Sequence, residues 1–264
     1  MDLQLKQKHI LITGGSKGIG FACAVAFVQE GASVTLIARN PQTLATARAA
    51  LLAGAGDGVC VHTISADLTD ANVAADALAQ AEALGGQVDV LVNSAGAAKR
   101  TPVDDLKPQV WHDAMQAKFF SYINIIDPVI KKMAAQRQGS IVNIVGNGGK
   151  VASSLHLPGG AANAALMLAT AGLAHAYASY GVRVNAVNPG NTLTDRLKQA
   201  ISVEAKSAQI GPEIALARIV DKLPLGRIAR PDEIAQAVLF LASDKASYVT
   251  GANLAMDGAL VPLI

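Results

Sequence analysis

The chain has 264 residues, 51% of them hydrophobic and 16% charged, with a formal net charge of +2. That composition supplies ample material for a core and excludes a disordered chain. The small charge gives no argument for nucleic acid or an anionic membrane as a partner.

The opening MDLQLKQKHILIT has no signal-peptide core and passes straight into a strand pattern. No apolar run of membrane-spanning length lacks a polar interruption. Cys23 and Cys60 have neither zinc nor redox-pair spacing, so both are expected to be small buried hydrophobes in a reducing cytoplasm, and no metal site is expected.

In chain order, HILIT (9–13), SVTLIA (33–38), VCVHTI (59–64), VDVLVN (88–93), SIVNIV (140–145) and VRVNAV (182–187) are short, β-branched and nearly continuous. Such runs suit strands of a parallel sheet buried on both faces. Helical patterns lie between them, at about 18–30, 41–53, 70–84, 105–136 and 159–179, and a last helix at 231–243 opens with Pro231 and two acids. Strand–helix alternation predicts βαβ crossovers and a doubly wound α/β sheet of the Rossmann type. Without a repeat or a dividing linker, 1–264 is expected to be one domain.

TGGSKGIG (13–20) follows the first strand and opens the first helix. Gly14, Gly18 and Gly20 allow a tight turn and close backbone approach to a pyrophosphate, while the helix start offers unpaired N–H groups. The second strand ends in IARN, with Ala38 where an NAD site usually carries an acid, then Arg39, with Lys17 nearby. A guanidinium suits a 2′-phosphate and a carboxylate repels one, so NADP(H) is expected over NAD(H); the alternative is that both are solvated surface charges.

With NSAG (93–96) after the fourth strand and NPGNTLT (188–194) after the sixth, the chain resembles the short-chain dehydrogenase/reductase family, at its usual chain length and over essentially all 264 residues. TGGSKGIG is similar to the family's TGxxxGIG, NSAG to NNAG, and PGNTLT to PGxxxT; PLGRIARPDEIAQAVLFLAS and TGANLAMDGA resemble its C-terminal signature. The resemblance implies a cytosolic homodimer or homotetramer that oxidises alcohols or reduces carbonyls. It implies cofactor contacts from Gly14, Ser16, Lys17, Gly18, Ile19, Gly20 and Arg39, and adenine contacts from Asp67 and Leu68. It adds Asn93, Ala95 and Gly96, then Pro189, Gly190, Thr192 and Thr194 toward the nicotinamide.

The family's catalytic residues do not follow. In ungapped register its Tyr position falls on Gly159, its Lys on Asn163, its Ser on Gly146 and its Asn on Lys118. Lys and Asn have exchanged helices. One reading is a relocated centre in which Lys118 supplies the proton chemistry, Asn163 holds a ribose hydroxyl and His156 is a secondary acid/base. The other is a cofactor-binding relative without turnover; a lyase or isomerase on the same fold is a third. Replacing Tyr and Ser by Gly is also expected to vacate volume for a bulkier ligand. Segment 195–224 lies where the family carries a substrate lid. Trp111, Phe119, Phe120 and Tyr122 are expected in core or subunit packing rather than on substrate.

Overall fold

In the computed structural model, which describes residues 2–96 and 99–262, seven strands form one parallel sheet in the order β3-β2-β1-β4-β5-β6-β7. They are β1 His9–Thr13, β2 Ser33–Ala38, β3 Val61–Ser65, β4 Val90–Asn93, β5 Gly139–Ile144, β6 Val182–Pro189 and β7 Asn253–Met256. The order reverses between β1 and β4, so the crevice beyond their carboxyl ends is where such a sheet binds ligands.

The helices are α1 Gly18–Gln29, α2 Pro41–Leu52, α3 Ala71–Gly85, α4 Pro108–Ala114, α5 Ser121–Gln136, α6 Leu157–Tyr177, α7 Asp195–Ser207, α8 Pro212–Asp221 and α9 Pro231–Ala242. One apolar cluster joins α1, α2 and α9 to the sheet, and a second joins α3, α5 and α6 to its other face. Two helix starts carry side-chain caps: the Asn40 carboxamide accepts the Thr43 N–H at 3.0 Å, and the Asp70 carboxylate accepts those of Asn72 and Val73.

A buried polar ladder pins three strands and a helix together. Thr13 Oγ1 donates to Asn93 Oδ1 (3.2 Å), Asn93 Nδ2 to Asn143 Oδ1 (3.0 Å) and Asn143 Nδ2 to Thr170 Oγ1 (3.0 Å). All four residues are buried. A one-residue slip of β1, β4 or β5 leaves these groups unpaired in the core, so the ladder fixes register at the ligand-binding end.

Three sequence expectations are corrected. The single helix over 105–136 is three pieces: α4 starts at Pro108 behind an extended Lys107, and a π-helical turn, Met115–Phe120, separates it from α5. The edge strand β7 is an addition to the six strands the periodicity predicts, because its partly exposed residues give no continuous apolar run. Cys23 is buried and its thiol is pushed up to about 12 by that burial, whereas Cys60 is exposed. The helix continuing to Tyr180 has the length and mean hydropathy (1.3) of a membrane span, yet half of that stretch is buried and it packs on β6, as a core helix does.

Candidate active site

The glycine loop sits where β1 hands over to α1. A methyl on Gly14 would lie 2.7 Å from the Ser94 carbonyl, so only glycine lets the loop approach the end of β4. Lys17, the residue before α1, is extended and makes no side-chain cap, which leaves the first-turn N–H groups of Gly18, Ile19 and Gly20 open to an anion. This cradle fits a dinucleotide pyrophosphate. Ser16 is half-buried beside it, and Lys17 and Arg39 are exposed without an ion pair among the described residues.

Of the two residues expected at the adenine, Asp67 accepts from Thr69, and Leu68 is buried. The Leu68 carbonyl accepts from Asn124 Nδ2 at 3.0 Å, a fixing contact from α5 that sequence reading did not identify. Asn93 has its amide committed to Thr13 and Asn143, and the Ala95 N–H is committed to Thr13 Oγ1 (3.2 Å). These two residues therefore shape the crevice by placing backbone, with Gly96 packed on the Ala117 carbonyl.

On the other side, Pro189 ends β6 and Gly190 donates to the Met256 carbonyl at 3.0 Å. Thr192 is buried, and Thr194 caps α7 by accepting the Leu197 N–H at 3.4 Å. A methyl on Gly18 would meet Thr194 Cγ2 at 3.3 Å, so the start of the 195–224 segment rests against the glycine loop. Asn188 is fully buried, and both its amide atoms lack a partner among the described residues, which marks the end of β6 as a place for a bound molecule or water.

Lys118 lies in the π-helical turn and is only 5% exposed. Its ammonium donates to Tyr122 Oη (2.8 Å) and to the Ile144 carbonyl at the end of β5 (2.9 Å), and stands 4.4 Å from the Tyr122 ring centroid. Tyr122 Oη donates to the same carbonyl at 2.7 Å. The wider turn brings Lys118 inward, and the Ser121 hydroxyl donates to the Ala117 carbonyl (2.9 Å) in place of a lost helical partner. Burial, then the charge of Arg196, holds the Lys118 amine well below the usual lysine range; burial pushes the Tyr122 phenol up. Tyr122 is a core residue, as expected, but it is also the partner of Lys118. The i, i+4 spacing of the two was the signal in the sequence.

Asn163 is buried in the second turn of α6, and Gly159 in the first. Gly146, with φ +114° and ψ 147°, adopts a backbone conformation natural only to glycine, and a methyl there would lie 3.3 Å from Asn163 Nδ2. The expected vacated volume is partly taken up by backbone. A methyl on Gly160 would lie 2.8 Å from the Gly148 carbonyl, and one on Gly149 would lie 2.7 Å from the Ala164 nitrogen, so the 147–149 turn settles directly on α6. His156 and Asn163 both flank Gly148, at 3.4 and 3.6 Å from the place of its missing methyl. Burial, then Arg196, Arg100 and Lys118, lowers the His156 imidazole to about 4. Lys118, Asn163 and His156 thus share one end of the sheet; Ser153 and Ser154 are exposed beside it.

Residues 14–260 match the family profile described as enoyl-(acyl carrier protein) reductase. The 2-(S)-hydroxypropyl-CoM dehydrogenase 3 of Xanthobacter autotrophicus is 35% identical over 263 residues, covering 100% of both chains. Among solved structures, a single-residue variant of actinorhodin polyketide ketoreductase with NADPH superposes with a TM-score of 0.91 at 29% identity, over 96% of this chain and 97% of that one. The L-sorbose reductase of Gluconobacter frateurii, complexed with NADPH and L-sorbose, gives 0.92 at 26% identity over 100% of both. The reversing parallel sheet, the glycine cradle at its switch point and these full-length likenesses agree: the chain belongs to the short-chain dehydrogenase/reductase family.

Proposed function

We propose that the protein is an NADP(H)-dependent oxidoreductase interconverting a carbonyl and an alcohol, with Lys118 as its proton-transfer group in place of the family's Tyr–Lys pair. The observation that carries this reading is a buried lysine at the end of β5 with no carboxylate partner among the described residues. The α1 cradle holds the pyrophosphate, and Arg39 with Lys17 takes the 2′-phosphate. When bound, NADPH supplies a hydride to the carbonyl carbon, and the oxygen takes up one proton. Lys118, charged, donates that proton; neutral, it accepts one in the reverse direction. Tyr122, whose phenol resists ionisation, orients the amine rather than acting as base. Asn163, beside Gly146, offers amide hydrogen bonds to a ribose or substrate hydroxyl. Helices α7 and α8 form the lid, and the functional unit is a homodimer or homotetramer.

NADPH consumption against a panel of ketones, aldehydes and quinones tests the reading. Lys118→Ala should lower turnover at least about 100-fold, the scale of general acid–base catalysis, and Lys118→Arg should not restore it because guanidinium stays protonated. NADPH affinity should be preserved in both. Arg39→Ala should weaken NADPH about tenfold or more and spare NADH. A second reading, cofactor binding without turnover, is favoured by the way the 147–149 backbone settles on α6. It predicts NADPH binding, no consumption with any carbonyl, and no effect of Lys118→Ala. Turnover without net NADPH consumption would instead indicate a lyase or isomerase.

A further inference from the structure

Asn147, Asn163, Asn188, Asn253 and Asp257 gather where β5, β6 and β7 end, and the fold spends almost none of their hydrogen-bonding capacity. Strand alternation places the first of them. Val184 and Ala186 of β6 belong to the apolar cluster on the α6 side of the sheet, so Asn188, two residues on, faces that side as well. Asn253 of β7 faces it too, since its Nδ2 reaches the Met167 carbonyl of α6 at 3.5 Å. Two glycines then bring the others together. A methyl on Gly190 would lie 2.8 Å from Asp257 Cβ and 3.6 Å from Asn147 Nδ2, so the end of β7 and the 147–149 turn meet across that glycine. A methyl on Gly146 would lie 3.3 Å from Asn163 Nδ2 and 3.9 Å from the Pro189 carbonyl, which brings α6 to the same place.

Asn188 is wholly buried, and neither of its amide atoms has a partner among the described residues; Asn253 Oδ1 is buried and unpaired in the same way. Asn163 and Asp257 are only 6% and 8% exposed. Among the described residues, the side chains of Asn147, Asn163 and Asp257 make no hydrogen bond, and Asp257 makes no ion pair. Buried polar groups are otherwise almost always paired, so a cluster of unpaired ones at the ligand-binding end of the sheet marks a place for a polar ligand. Glycine at 146 and 190 keeps the space between these groups free of side chains. Asn147 and Gly190 are half-buried, so the recess is reached from the side of the 147–149 turn.

The groups themselves select the ligand. A carboxamide offers donor and acceptor side by side, and a carboxylate accepts only. A hydroxyl both gives and accepts, so a row of hydroxyls satisfies this mixture. An anion is repelled by Asp257, and a hydrocarbon leaves every amide unpaired. We propose that Asn147 and Asp257, backed by Asn188, bind hydroxyl groups on the carbons beside the reacting one, so that the substrate is a polyol or the corresponding keto sugar. This deepens the oxidoreductase reading and rests on it for the reacting carbon; the hydroxyl recess rests on these side chains alone. A simple alcohol or ketone of the same length enters the site without satisfying them, and binds more weakly for that reason.

The test is calorimetric. Protein saturated with NADP⁺ is titrated with the pentitols xylitol, ribitol and D-arabinitol, with pentane-1,5-diol and with 5-aminopentan-1-ol; NADPH binding is measured separately by fluorescence. At least one pentitol should bind at least about tenfold more tightly than the diol, one decade being the loss of a single good hydrogen bond. Asp257→Asn and Asn147→Leu should each remove that preference while NADPH affinity stays within about twofold. Asn147 is half-buried in a turn, so its variant carries the test even where Asp257→Asn fails to fold. Equal binding of pentitols and diol, or binding of none of them, overturns the proposal. So does an unchanged preference in either folded variant. Tighter binding of the amino alcohol than of every pentitol overturns it as well, by assigning Asp257 to a cation. Failure of the oxidoreductase reading shows separately, as pentitol binding without NADP⁺ reduction or as unchanged turnover in Lys118→Ala.

Discussion

At the scale of single residues, the site is governed by what Gly146, Asn163 and His156 permit one another. Gly146 has a φ of +114°, which costs an L side chain about 1–3 kcal/mol, and its missing methyl faces the Asn163 amide. Gly146→Ser, which restores the family's residue type, should therefore destabilise the fold by that amount in chemical denaturation. Adding Asn163→Ala should recover little, because it relieves the contact and not the backbone. A fully stable single variant would show that the turn relaxes. His156 gives a pH prediction of definite sign. Its folded value of about 4 lies below the ordinary 6.5, so the folded state binds fewer protons than the unfolded state between those values. Stability should be undiminished by this group above pH 6.5 and should fall as pH drops from 6.5 toward 4. Arg196→Gln should raise the imidazole value, read by its proton resonance. A titration near 6.5 in the parent protein would place His156 in water.

At the scale of elements, the parts set by local periodicity were legible and the parts set by tertiary contact were not. The six β-branched runs and the glycine loop announce strands and a phosphate cradle because burial on both faces makes most positions of a strand apolar. The break in 105–136 was half legible: Pro108 marks a start, but the π-helical turn depends on Lys118 reaching the Ile144 carbonyl, 26 residues away in the chain. The ladder Thr13–Asn93–Asn143–Thr170 was likewise hidden, its asparagines reading as interruptions in apolar strands. Asn143→Ala leaves Asn93 and Thr170 buried without their partner, a loss of about 3 kcal/mol, and should lower Tm by roughly 6–12 °C. A change of a degree or two would mean that water replaces the amide.

At the scale of the whole molecule, the sheet buries both its faces, but one helix surface is left apolar and open. Along α6, Ala161, Ala164, Leu168, Ala171 and Gly172 recur at helical spacing on the exposed side, while Ala162, Leu166 and Thr170 face the sheet. Leu168 is 77% exposed, and α4 runs beside α6, with Trp111 on it and Phe120 in the π-helical turn partly exposed. Small residues let a second helix approach closely, and an exposed leucine among them makes an isologous contact when two copies face each other about a two-fold axis. The structure separates the small residues of this helix that lie in the core from those on the surface. Leu168→Arg sets a charge against itself across such an axis, and the change is confined to an exposed position, so the fold should survive. The parent protein should sediment as a dimer or tetramer at micromolar concentration, and the variant should drop to a smaller species with unchanged circular dichroism. A parent that sediments as a monomer, or a variant that assembles as the parent does, would mean that this face has no partner copy.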